Sequence, residues 1–181
     1  MKYIRIFLLS ALFFGVWMGI VYSFQFGNVY TALTTAAIAG IVFGLIMAAF
    51  SYFADQRLQK KGIDTSNTSP RQFRKISVNG TVSEAIAVSE KAILSLNRAV
   101  IKEKDLAAGT IKAKTKMSWK SFGEVIKIST QTLGNGQILV EIKSSPFIPT
   151  NVIDYGKGLE NVETIVSYIK SELNGEVLVN S

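Results

Sequence analysis

Between Arg5 and Asp55 the chain carries no lysine, arginine, aspartate or glutamate, and its apolar run is broken only at Gln25-Phe26-Gly27-Asn28. A hydrocarbon core about 30 Å thick is crossed by about 20 helical residues, and a backbone in lipid must satisfy its own polar groups. The stretch therefore predicts a transmembrane hairpin over residues 1–54, with spans at about 6–24 and 30–53. A cleaved signal peptide is the competing reading, since basic residues precede an apolar segment. The run from Ile6 to Phe24 is longer than a signal core and a second span follows closely, so the first span is read as retained.

Each span carries small residues at a spacing of four: Ala11, Gly15, Gly19 and Ser23 in the first; Ala32, Ala36, Gly40, Gly44 and Ala48 in the second. Positions four apart share a helix face, and small side chains let two backbones approach where hydrophobic burial no longer drives association. The stripes are expected to face each other within the hairpin. The Gly40 and Gly44 face is also a candidate contact with another copy of the chain.

The turn between the spans has no lysine or arginine while both outer flanks do. That bias puts the N-terminus and everything after Phe53 in the cytoplasm, and makes the chain a two-pass protein of the cell membrane. Tyr22, Phe24, Phe26 and Tyr30 near the turn fit an interfacial aromatic belt, while Trp17 lies deeper, facing lipid or the partner helix. The net charge of +7 also sits beside the membrane. Residues 55–75 hold six basic and two acidic side chains, whereas the remainder of the chain beyond them is almost neutral. A nucleic-acid footprint needs a clear basic excess on the folded domain, so nucleic acid is not an expected partner. Residues 55–71 read as a basic, polar linker, and Arg57, Lys60, Lys61, Arg71, Arg74 and Lys75 are candidate contacts to anionic lipid headgroups.

From Gln72 the pattern changes to that of a cytoplasmic α+β domain over residues 72–181. Phe73, Ile76 and Val78 predict an entering strand. Thr81 and Glu84 have the spacing of a capping box and open a helix. Ser89 interrupts the apolar face of that helix, which predicts a shallow or sheet-packed helix rather than a deeply buried one. Residues 99–104, 110–117, 124–132 and 137–144 predict antiparallel strands, the second alternating Ile111, Ala113, Thr115 and Met117 with Lys112, Lys114 and Lys116. Gly134-Asn135-Gly136 is a hairpin signal, and Pro146-Phe147-Ile148-Pro149 ends the sheet. Residues 151–154 suggest a short edge segment, 159–173 a second amphipathic helix, and 176–181 a tail that pairs or frays. The expected fold is α+β, with an antiparallel sheet of about four to five strands covered on one face by two helices.

The chemistry available is narrow. With no histidine and no cysteine, the usual general base, the common metal ligands and the thiol nucleophile are all missing, and no cofactor or metal is expected. Trp119, Phe122 and Glu124 are candidate ligand or partner contacts, their alternative role being a bulged strand entry. Lys112, Lys114 and Lys116 offer a positive face for an acidic partner, or simply a solvated strand face. Lys157, between Gly156 and Gly158 before the last helix, is a candidate anion contact. An enzyme would need Glu124 and Asp154 to converge, and a pore would need polar residues that the spans lack. The leading expectation is a membrane-anchored interaction or scaffold module with an unidentified protein partner. A tethered small-molecule or lipid-binding domain is the alternative.

Overall fold

The structure, a computed structural model, describes residues 1–66, 69–118, 121–134, 136–148 and 155–180. It divides into two compact units, Met1–Arg57 and Leu58–Ser181. In the first unit α1 (Lys2–Phe26) and α2 (Val29–Gln59) are both long and apolar enough to cross a membrane by length and composition. The turn follows from two residues. Gly27 takes φ 62°, a left-handed conformation that costs glycine little. Asn28 then caps α2, its Oδ1 accepting from the N–H groups of Tyr30 (2.9 Å) and Thr31 (3.3 Å).

At about 1.5 Å per residue, the 31 residues of α2 reach roughly 46 Å, well beyond a hydrocarbon core. The helix thus runs past Phe53, where the second span was expected to stop, because nothing from Ala54 to Gln59 breaks it. Asp55 is consequently not in a linker. It is buried in α2, where the Lys2 ammonium (2.6 Å) and the Tyr3 hydroxyl (2.8 Å) donate to its Oδ2, tying the two outer ends of the hairpin together.

The second unit is an α+β layer. Its strands are β1 (Gln72–Asn79), β2 (Ala99–Asp105), β3 (Thr110–Thr115), β4 (Glu124–Gly134), β5 (Gln137–Pro146) and β6 (Glu176–Asn180); its helices are α3 (Val82–Ser95) and α4 (Lys157–Leu173). The sheet has six strands rather than four to five, in the order β2-β3-β4-β5-β1-β6, every neighbouring pair antiparallel. The added strand is the tail, which pairs with the outer edge of β1. A short polar turn at Asn174, held at φ 47°, is enough to bring it back from α4.

Alternation sends Ile76, Val78, Ile111, Ala113, Ile126, Ile128, Ile138, Val140 and Ile142 to one face, where they meet Ile86, Ile93, Val162, Ile165 and Ile169 of α3 and α4 in a single core. The capping box of α3 is complete: Glu84 N–H donates to Thr81 Oγ1 (3.2 Å) and Thr81 N–H to Glu84 Oε2 (2.8 Å). Of the two expectations for α3, the structure has the sheet-packed helix and not the shallow one: Ser89 is fully buried together with Ala85 and Ala92, on the face that joins the sheet in the core. A small hydroxyl among alanines narrows the face without lifting it from the core.

Phe73 lies on the face opposite Ile76 and Val78, since alternate residues of β1 face opposite ways and Gln72, Arg74, Ile76 and Val78 all point inward. One further expectation changes within the sheet. Met117 falls outside β3 and is exposed. Asn135 and residues 149–154, the centre of the hairpin signal and the suggested edge segment, lie outside the described residues.

Candidate functional site

In the hairpin the small stripes meet within one chain. A Cβ added at Gly40 would stand 2.6 Å from the Ala11 carbonyl oxygen and 3.1 Å from Gly15 Cα. One at Gly44 would stand 2.8 Å from the Phe7 oxygen and 2.9 Å from Ala11 Cβ. Contact is looser toward the turn, where a Cβ on Gly19 would lie 3.5 Å from that of Ala36. There Ala11, Gly15, Gly19, Ser23 and Ala36 line an apolar groove of about 600 Å³. Ala48 is half-buried, and Phe14 stacks on Phe43 with ring centres 4.3 Å apart.

The sheet's outer face concentrates cations. Lys112, Lys127 and Lys143 stand directly opposite one another on β3, β4 and β5, since Lys112 pairs with Lys127 in register and Lys127 with Lys143. Directly opposed side chains have Cβ atoms roughly 5 Å apart, and like charges so placed repel. The outer members have relief: Lys112 donates to Glu103 Oε1 at 2.8 Å, and Lys143 lies 3.5 Å from Glu141 Oε2. Lys127, in the middle, makes no ion pair among the described residues. The row continues to Phe73 on β1, with the ammonium groups of Lys143 and Lys75 within 5.0 and 5.5 Å of its ring centre. A concavity of about 590 Å³ opens over this row and the neighbouring ends of β2 and β3.

At the far end of β3 the same face becomes aromatic. Phe122 and Phe147 are 58% and 53% exposed, and with Lys102, Lys114, Lys116 and Val100 they line a second concavity of about 240 Å³. The Lys114 ammonium sits 4.2 Å from the Phe147 ring centre, a cation–π contact. Of the residues expected from sequence, then, Phe122, Lys114 and Lys116 come together, with Lys112 one step along the strand. Lys127, Lys143, Phe147 and Lys102 complete the surface.

Glu124 does not join them. It has no exposed surface; Ser121 Oγ donates to its carboxylate and its own N–H donates to Thr115 Oγ1 at 2.9 Å. Gly123, at φ 100°, turns the chain between the exposed Phe122 and the inward Glu124. Trp119 and Asp154 lie outside the described residues.

The basic set near the linker divides. Arg57, Lys60, Lys61 and Arg71 are exposed. Lys75 is on the outer sheet face, bonded to Glu141 at 2.6 Å. Arg74 leaves the set of candidate lipid contacts: the alternation of β1 turns it inward, where it is buried and its Nη2 lies 2.7 Å from Glu163 of α4. Lys157 lies apart from the sheet face, 3.5 Å from Glu160, which also pairs with Lys61. The chain matches no protein-family model and no curated protein sequence.

Proposed function

We propose that the chain is a membrane-anchored interaction module. The hairpin of α1 and α2 crosses the cell membrane twice with both chain ends in the cytoplasm, and the outer sheet face docks an acidic segment of a protein partner. The absence of lysine and arginine from the turn supports the orientation. The docking reading is carried by the unbroken register of Lys112, Lys127 and Lys143. Three like charges in line cost stability in the free domain, and carboxylates laid over them would remove that cost. Phe122 and Phe147 beside the row provide the apolar anchor that a charged contact alone lacks.

A pocket for a small apolar ligand under the sheet is the second reading. The inner face opposes it, since Ile76, Ile126, Val140, Ile142, Ile165 and Ile169 have no exposed surface at all. A filled core with an exposed aromatic and basic patch favours a macromolecular partner.

The test uses the full chain in neutral-lipid nanodiscs, titrated into a fluorescent peptide of alternating glutamate and phenylalanine. Binding is expected to weaken with salt and to fall at least tenfold when Lys112, Lys127 and Lys143 are all replaced by threonine, while Lys91→Gln on α3 changes nothing. Lys127→Thr alone should raise stability toward urea by about 0.5 kcal/mol, so lost binding is not lost folding. Unchanged binding by the triple variant overturns the reading. So does recruitment of anionic vesicles through the same lysines without peptide binding, which would make the face a membrane contact.

A further inference from the structure

A second basic site shares Lys116 with the rim of the sheet-face surface and is otherwise made of different residues. Lys61, Arg98, Lys116 and Lys157, with Asn97 and Ser118, surround a concavity of about 450 Å³, and among the described residues its one lining carboxylate is Glu160. Glu160 is shared between Lys61, which bonds its Oε1, and Lys157, 3.5 Å from its Oε2. Arg98 and Lys116 have no acidic partner among the described residues. Lys157 is only 17% exposed, so part of this charge is held out of water.

The arrangement is built from four separate parts of the chain: the segment after α2, the link from α3 to β2, the exit of β3, and the start of α4. It is therefore not a stretch of adjacent charges on one solvated strand. Arg98 reaches it from φ 63°, a conformation in which glycine or asparagine would be unstrained. Among the described residues, four cations against one carboxylate leave three positive charges to be matched, and gathering them around one cavity is unfavourable unless an anion enters.

We propose that this cavity binds a diphosphate group. Its volume exceeds that of a single phosphate, its uncompensated charge matches a diphosphate near neutral pH, and Arg98 supplies the planar fork that pairs with phosphate oxygens in two-point fashion. Asn97 and Ser118 add neutral donors at the rim. The group is borne either by a soluble molecule or by a lipid headgroup, and both present the same chemistry to these side chains.

The experiment is calorimetric titration of inorganic pyrophosphate into the full chain in phosphatidylcholine nanodiscs. A parallel arm measures protection of the chain from unfolding in nanodiscs doped with a lipid carrying two headgroup phosphates. Arg98→Asn is the decisive variant, because asparagine accepts the left-handed backbone and the fold should gain stability while the charge is lost. Pyrophosphate is expected to bind wild type in the micromolar range, at least tenfold more weakly to Arg98→Asn and to Lys116→Gln, and unchanged to Lys127→Thr on the sheet face. Binding in the first arm alone identifies a soluble ligand; protection in the second identifies a lipid. Absence of both effects, or equal binding by Arg98→Asn, overturns the proposal. Lys127→Thr separates this site from the docking face, so either proposal can fail without the other.

Discussion

Arg74 shows how much one side chain can depend on distant chain. Alternation along β1 carries it under the sheet, where Nε (2.8 Å) and Nη2 (2.7 Å) both reach Glu163 of α4, 89 positions away in sequence. Removing the guanidinium leaves a partly buried carboxylate without its donors, so Arg74→Met is expected to cost about 2 kcal/mol in urea unfolding. A loss below about 0.5 kcal/mol would show that solvent replaces the pair. Carboxylates elsewhere set a pH dependence. A hydrogen bond from Lys75 holds the Glu141 carboxyl below its usual range, as the bond from Lys112 does for Glu103 and the Thr81 N–H for Glu84. A carboxylate with a depressed folded pKa is protonated first in the unfolded chain, so its stabilisation is complete above the unfolded value of about 4.3 and disappears as pH falls through the folded value. Stability should be flat near neutrality and decline on acidification below about pH 4.5. A rise over that range would contradict these assignments.

At the scale of elements the hairpin makes a contrast between two glycines of the same pattern. Gly40→Ala puts a methyl 2.6 Å from a backbone oxygen of α1 and must push the helices apart, whereas Gly19→Ala meets only an ordinary 3.5 Å contact. Gly40→Ala should lose about 1–3 kcal/mol toward denaturing detergent and Gly19→Ala almost nothing. Equal losses would mean that the two helices do not pack along this stripe. Both stripes are visible in the sequence because spacing of four is a local property. So are the capping box of α3 and the meander β2 to β5, which follow from hydroxyl–carboxylate spacing and from alternation. The pairing of β6 with β1 was not decided there, because it depends on which edge is vacant once the sheet has formed; alternation puts Arg74 on the face of Ile76 and Val78, but its partner Glu163 lies 89 positions away. The candidate surface divides in the same way. Lysines on the wet face of β3 are legible from Lys112 and Lys114. Their alignment with Lys127 and Lys143 depends on turn lengths and on the irregularity between Thr132 and Gly134. Phe147 beside Lys114, and Arg98 beside Lys61 and Lys157, join residues that no local pattern relates.

The whole molecule consists of two units of opposite character. One presents an almost uninterrupted apolar surface, with Leu12, Phe13, Trp17, Leu33, Ile38 and Leu45 all exposed, as a lipid-facing hairpin requires; the other buries its apolar residues in a core of its own. The proposed function requires that the first unit span a membrane with the second on the cytoplasmic side. The chain has no cysteine, so a single introduced thiol reports its own location. Gln25→Cys near the turn and Glu172→Cys at the end of α4 are both at exposed positions. In intact cells treated with a membrane-impermeant maleimide, the account requires labelling of Gln25→Cys and none of Glu172→Cys until the cells are opened. Labelling of Glu172→Cys in intact cells, or release of the chain from membranes by carbonate, would contradict it.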